Sequence, residues 1–171
     1  AYWDKVFELA KNDRDLVVLT ADMGAQSFKR FREEVPEQIF NVGVAEQSAV
    51  SLAAGMTLAG KRVIVWAITS FLVHRSRAQI RHDLCIMNLP VTLVGSGPGL
   101  AYDYDGPCHH SIEDISTMRS LPGMSIYSPS DHVSTAVVAE IAYQASGPSY
   151  IRLDKGAFPA IHSESSAQQG T

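Results

Sequence analysis

Three groups of residues in this chain combine types and spacing that could do chemistry. The first is Glu46, in the run Asn41-Val-Gly-Val-Ala-Glu-Gln47 that leads into the small-residue segment Ser48–Met56. A carboxylate in a first helical turn is ordinarily a partner for the helix dipole, worth about 0.3–1 kcal/mol. Here the small residues behind it predict close packing and hence burial, and burial disfavours the ionised form of a carboxylate, which suits a proton-exchanging group. The second group is Asp103-Tyr-Asp-Gly-Pro-Cys-His-His110. Asp-Gly-Pro is strong turn chemistry, which accounts for the glycine and proline but not for the histidines. Metal binding by Asp103, His109 and His110 is the weaker alternative, because adjacent histidines rarely reach one ion together. The third is Arg152, near the end of an apolar run, whose planar fork suits a phosphate or carboxylate but which is otherwise a routine surface residue there.

The elements that must position these residues alternate along the chain. Strand-like runs at Leu16–Thr20, Arg62–Ile68, Val91–Val94, Met124–Tyr127 and Ser149–Leu153 alternate with helical patterns at Trp3–Lys11, Val44–Ala59, Phe71–Asn88, Ser111–Ser120 and His132–Ala145. This predicts an α/β fold, a three-layer sandwich around a mostly parallel sheet. Ser128, Ser130 or Asp131 can cap the last helix, and Gly60 can end the Glu46 helix in a left-handed conformation. In such sheets ligands gather at the carboxyl ends of strands. Ala21–Ser27, Thr69–Phe71 and Gly95–His110 all follow predicted strands. A single domain over residues 1–157 is expected, with a polar linker or tail over 158–171.

Composition narrows the function classes. With 171 residues, 46% of them apolar, the chain supports one substantial core. A net charge of −4 without a Lys/Arg block argues against nucleic acid as a partner. The long uncharged stretch across Cys85–Tyr102 is broken by Pro90, Gly95, Gly97, Pro98 and Gly99, so no membrane span is expected, and no signal segment opens the sequence. Cys85 and Cys108 are too few and too far apart for a disulfide framework or a structural zinc site, so a reducing, cytoplasmic setting is expected. Gly95-Ser-Gly-Pro-Gly99 lacks dinucleotide-loop spacing.

Gly43-Val-Ala-Glu46-Gln47, Thr69-Ser-Phe-Leu72 and Asp105-Gly-Pro-Cys-His109 together resemble the pyrimidine-binding domain of the transketolase family of thiamine diphosphate enzymes, over roughly Ala1–Leu153. The segment Ala67–Asp83 is most similar to the deoxyxylulose-phosphate synthase branch. The resemblance implies that Glu46 hydrogen-bonds the cofactor's aminopyrimidine nitrogen and that Phe71, rather than Phe28 or Phe31, stacks on that ring. It further implies that Asp105 and His109 contact the donor substrate, with His109 catalytic alongside Glu46, and that Arg152 grips a substrate phosphate. Asp22, Met23 and Ser27 fall where family members touch the cofactor, although a helix cap before Phe28–Arg32 explains them equally well.

Departures bear on substrate. Gly95–Leu100 stands where sugar-phosphate members place a cation, Cys108 replaces a threonine, and His74 stands where relatives have Tyr or Gln. No Gly-Asp-Gly element, by which the family holds the diphosphate and its magnesium on another domain, occurs in the chain. The implied protein is therefore half of an active site, an excised piece or a subunit of a split enzyme. It would act with a diphosphate-binding partner, as a homodimer or hetero-oligomer, in ketol transfer on a sugar phosphate or a 2-oxoacid. A synthase-like or 2-oxoacid dehydrogenase-like component is the neighbouring alternative. A non-catalytic assembly module is the alternative of another class, and it has no need for Glu46, Phe71 and His109 together.

Overall fold

A computed structural model describes residues 1–24, 28–156 and 158–163. Six strands, β1 (Leu16–Thr20), β2 (Ile39–Asn41), β3 (Arg62–Ile68), β4 (Val91–Ser96), β5 (Ser125–Tyr127) and β6 (Ser149–Leu153), form one sheet in the order β2-β1-β3-β4-β6-β5. Every pairing is parallel. Such a sheet needs cover on both faces, and the strand residues sort accordingly with a period of two. Val17, Leu19, Val63, Val65, Val91, Leu93 and Tyr150 enter one core, with Ala49, Val50, Ala53, Leu72, Ile80 and Met118 from the covering helices. Leu16, Val18, Ile64, Trp66, Val94 and Ile151 enter the other, against Val6, Phe7, Phe28, Phe31 and Val138. The helices are α1 (Tyr2–Asn12), α2 (Phe28–Glu34), α3 (Glu46–Leu58), the short α4 (Arg77–Gln79), α5 (Asp114–Arg119) and α6 (His132–Gln144). The three-layer α/β architecture expected from the alternation is present.

Local chemistry sets the boundaries. Gly60 takes φ +92°, and the Lys61 N–H reaches back to the Met56 carbonyl, closing α3. Of the three candidate caps for α6, Asp131 is the one used: its Oδ1 accepts from the Ser134 N–H at 2.8 Å while Ser134 Oγ accepts from the Asp131 N–H. The other oxygen of Asp131 accepts from the Ile161 and His162 N–H groups at 2.8 and 2.9 Å. The beginning of the expected tail is thus held against the helix cap.

Three elements differ from the sequence pattern. β2 carries no apolar run: it is a three-residue edge strand, half-buried to exposed, held by its ladder to β1. The expected continuous helix over Phe71–Asn88 is instead a π-helical turn (Phe71–Arg75), a break at Ser76, α4, and a second π-helical stretch (Ile80–Ile86). α5 starts at Asp114 rather than Ser111, because Ser111 pairs with Gly99 in an isolated antiparallel bridge. No helix among the described residues is long and apolar enough to cross a membrane.

Candidate functional site

From β1 the chain moves outward to β2, then returns to add β3 on the other side, so the sheet order reverses beside β1. The crevice beyond the carboxyl ends at such a reversal is where ligands bind in open α/β sheets. The segments that follow β1, β2, β3 and β4 carry nearly all of the candidate residues.

Asn41, the last residue of β2, organises the entry to α3. Its Oδ1 accepts from the Gly43 and Asp22 N–H groups, both at 3.0 Å, and its Nδ2 donates to Asp22 Oδ1 at 3.2 Å. Gly43 takes φ +74°, a turn that a side chain would strain, and Glu46 follows as the first residue of α3. Ala49, Val50, Ala53 and Ala54 sink the helix into the core, which leaves the Glu46 side chain 3% exposed. Arg75 Nη1 donates to its Oε2 at 3.1 Å; no other hydrogen-bond donor to this carboxylate occurs among the described residues.

Arg75 belongs to the π-helical turn after β3, as does Phe71, and its guanidinium lies 5.9 Å from the Phe71 ring centroid. Phe71 is half-buried rather than a core aromatic. The His109 and Phe71 rings meet in a T-shaped arrangement with centroids 4.9 Å apart, the Tyr102 ring centroid lies 5.7 Å from that of His109, and Lys155 Nζ sits 3.8 Å over the Tyr102 ring. The result is a continuous row from a buried carboxylate to an exposed ammonium: Glu46, Arg75, Phe71, His109, Tyr102, Lys155. Gly97, at φ +66°, makes room for it, since a Cβ there would lie 2.2 Å from the Tyr102 ring. Cys108 Sγ is 3.2 Å from His109 Nδ1.

The other predicted residues lie as follows. Asp105 is exposed, in the short turn Asp103–Asp105 before His109, and no ion pair holds its carboxylate among the described residues. Asp22 (φ +53°) and Met23 follow β1 and are tied by hydrogen bonds to Asn41 and to Thr20 Oγ1 respectively, rather than to Glu46. Ser27 lies outside the described residues. His74 pairs with Ser111 Oγ at 3.3 Å and lies 3.5 Å from Glu113. Among the described residues no cluster of His, Cys, Asp and Glu could hold a metal ion, so Asp103, His109 and His110 do not form one.

Arg152 is engaged. Its Nε and Nη2 donate to the two oxygens of Asp114 at 2.6 and 3.3 Å, and Nη1 donates to Ser128 Oγ at 3.1 Å. Asp114 is fully buried and also accepts from Tyr150 OH at 2.7 Å. Burial, followed by the Asp114 charge, pushes the Tyr150 hydroxyl far above its ordinary range. Arg152 still borders a cavity of about 380 Å³ with Pro98–Ala101, Ser128, Pro129 and Asp154.

Arg75, Tyr102, Lys155 and Asn41 escaped the sequence reading. Arg75 shares its stretch with Arg77 and Arg81 and reads as one more residue of a solvated helix face; its pairing with Glu46 depends on how this turn packs against α3. For Lys155 the cue was present, a lone cation three residues beyond Arg152.

This geometry coincides with a family match. Residues 1–160 match the transketolase pyrimidine-binding domain model, and the chain belongs to that family. Among its relatives, an apulose-4-phosphate transketolase subunit of Phocaeicola vulgatus is 35% identical over 163 residues, 95% of this chain and 52% of that protein. A 6-deoxy-6-sulfo-D-fructose transketolase subunit of Clostridium sp. is 37% identical, covering 95% and 51%, and a 1-deoxy-D-xylulose-5-phosphate synthase of Clostridium perfringens is 40% identical, covering 91% and 25%. The chain thus spans about half the length of the transketolase-subunit relatives. A solved split-gene transketolase in an inactive beta4 tetramer superposes with a TM-score of 0.85 at 32% identity, covering 96% of this chain and 52% of that one. The Campylobacter jejuni transketolase, at 21% identity and a TM-score of 0.84 over 95% of this chain and 27% of that one, shares the fold.

Proposed function

We propose that this chain supplies the pyrimidine-side half of a thiamine diphosphate site and acts with a separate diphosphate-binding domain or subunit, which would hold the diphosphate and its magnesium, as a transketolase-like transferase. The observation that carries this reading is Glu46: a buried carboxylate with one oxygen held by Arg75 and the other without a donor among the described residues, at the reversal edge of the sheet beside the half-buried Phe71. Those residues fit the cofactor's aminopyrimidine, whose ring nitrogen needs a carboxyl partner and whose face suits an aromatic. When bound, thiamine diphosphate supplies the carbanion chemistry of ketol transfer. Glu46 holds a proton at the ring nitrogen. Phe71 fixes the ring plane, and Asp22 and Met23 border it from the end of β1.

On the substrate side, His109 is held between Phe71 and Tyr102, with its Nδ1 toward Cys108, and meets the donor together with Asp105. The relatives include enzymes named for a sugar phosphate and for a sulfo-sugar, both ketoses with an anionic end. An anionic ketose suits this chain as well. Because the Arg152 fork is engaged with Asp114, Lys155 at the exposed end of the row is the cation assigned to that anion, while Arg152 lines the cavity with Asp154. The synthase-like reading, in which a 2-oxoacid donor is decarboxylated, draws support from 40% identity to synthases.

Assembly follows the same reading. Leu52, Leu58, Ile86 and Met87 leave apolar surface exposed on α3 and at the end of the second π-helical stretch, which suits association with a second copy or with the partner subunit. Both cysteines are free, in keeping with a reducing, cytoplasmic setting. The test is calorimetric titration of thiamine diphosphate and magnesium into this chain alone and into its mixture with a partner containing Gly-Asp-Gly. Weak binding alone and tight binding in the mixture are expected; a tight complex with this polypeptide alone would overturn the half-site reading.

A further inference from the structure

Arg75 has no part in the scheme above beyond its contact with Glu46, yet its surroundings are specific. Glu46 is 3% exposed and Arg75 is 49% exposed, so a solvated guanidinium reaches inward to a carboxylate that has almost no water of its own. It engages Oε2, and among the described residues nothing donates to Oε1. A buried carboxylate in a helix core is ordinarily surrounded by donors, as Asp114 is, with Tyr150 OH, Arg152 Nε and Arg152 Nη2. Among the described residues, Glu46 is anchored through one oxygen. The anchor also comes from the same π-helical turn as Phe71, with its guanidinium 5.9 Å from that ring. π-helical turns concentrate at functional sites, and this one places an aromatic ring and a cation four residues apart on a common side.

We propose that Arg75 is a positioning residue for the cofactor ring: it pins Glu46 through one oxygen so that the other is presented to the ring nitrogen, and it links that orientation to the placement of Phe71. The proposal rests on Glu46 being the ring partner. Its physical basis is that a carboxylate with a single fixed oxygen has a defined plane, whereas an unanchored buried one turns toward the nearest donor or takes up a proton. Arg75 acts through Glu46, so its effect must vanish when Glu46 can no longer play its part.

That dependence is testable without activity. In the assembled enzyme, this chain with its diphosphate-binding partner, the affinity for thiamine diphosphate with magnesium is measured by calorimetry for wild type, Arg75→Met, Arg75→Lys, Glu46→Gln and the double variant Glu46→Gln/Arg75→Met. Arg75→Met is expected to weaken binding about 10- to 100-fold, the equivalent of one charge-assisted hydrogen bond. The same change in the Glu46→Gln background is expected to weaken it by less than about threefold, since double-mutant cycles isolate the pairwise contribution. Arg75→Lys, which keeps a charge within reach of a single oxygen, is expected to restore most of the affinity. Equal losses in the two backgrounds, or no loss from Arg75→Met, would overturn the positioning role while leaving the Glu46 reading intact. If Glu46→Gln alone bound as tightly as wild type, the Glu46 reading itself would fall, and this proposal with it. Should Arg75→Met disturb folding, Arg75→Gln, uncharged and shorter, takes its place in the same cycle with the same expected losses, and Arg75→Lys remains the rescue.

Discussion

The chain contains two carboxylate–arginine pairs on the same side of its sheet, and they are built oppositely. Asp114 and Arg152 form a closed network: the carboxylate is fully buried, both of its oxygens are taken by the guanidinium, and Tyr150 OH completes the set. Thr69 packs against Tyr150, and a Cβ on Gly95 would lie 2.7 Å from Thr69 Oγ1, so even the adjacent strand is shaped around it. Glu46 and Arg75 form an open pair, with one hydrogen bond, one oxygen that no described residue donates to, and a half-exposed guanidinium. A closed pair specifies packing. An open pair keeps a polar group in reserve at the crevice where a ligand enters.

The largest expected effect comes from breaking the closed pair. Arg152→Met leaves Asp114 buried with Tyr150 alone, and removing one partner of a buried ion pair costs about 3–5 kcal/mol. Urea denaturation of the chain should show that loss, and donor use should weaken only through instability. Glu46→Gln should do the reverse. Stability should change by less than about 1 kcal/mol, while in the reconstituted enzyme exchange of the cofactor's thiazolium proton slows and turnover falls on the order of 10²–10⁴-fold, as for a lost acid–base group. His109→Ala should impair donor use and leave that exchange nearly intact. If Arg152→Met were silent in denaturation and selectively raised KM, the closed network would have to be read as part of the substrate site.

This contrast marks what the sequence could reveal. Alternation of apolar runs disclosed the layered parallel sheet because strand and helix periods are local properties, and Gly60, with Asp131 among three candidate caps, announced the ends of two helices by chemistry. The short edge strand Ile39–Asn41 did not, since it owes its form to a ladder with β1 rather than to an apolar pattern. Glu46, Phe71 and His109 were legible as a set because their motifs surround them. Arg75 and Asp114 were not: each is a charged residue in a polar stretch, and which arginine meets which carboxylate is decided by long-range packing. Arg152 shows the same limit: its engagement with Asp114 and Ser128 could not be read, because nothing near it in sequence names either as its partner.

A third carboxylate sharpens the comparison through pH. Asp131 is held well below the usual carboxylate range, first by the Ser134 hydroxyl and then by the Ser134, His162 and Ile161 N–H groups, with burial opposing. A depressed folded value means that its stabilising contribution is complete above the unfolded value of about 3.9 and is lost as pH falls from there toward the folded value. Asp131→Asn should therefore lower stability at pH 6 and flatten the decline on acidification below about pH 4, measured by thermal midpoints across that range. An unchanged acid limb would remove Asp131 from the closed, structural class.

The smallest effect separates the two regions by thiol chemistry. Cys85 lies in the core under the sheet, and burial pushes its thiol up to about 11, so at pH 8 its thiolate fraction is on the order of 10⁻³. Cys108 is exposed beside His109 on the open row. A thiol-specific reagent at pH 8 should label Cys108 first, and Cys85 only as fast as the fold opens or in denaturant. Labelling at Cys108 adds bulk 3.2 Å from His109 Nδ1 without touching the core. The thermal midpoint should accordingly move by no more than about 1–2 °C, as for a surface change of a few tenths of a kcal/mol, while donor binding in the reconstituted enzyme weakens. Saturating donor should slow the labelling in turn, because the substrate and the reagent compete for the space in front of His109. Equal labelling of the two thiols in the native chain would show that the core opens as readily as the crevice, and the division between a closed structural pair and an open functional one would lose its physical basis.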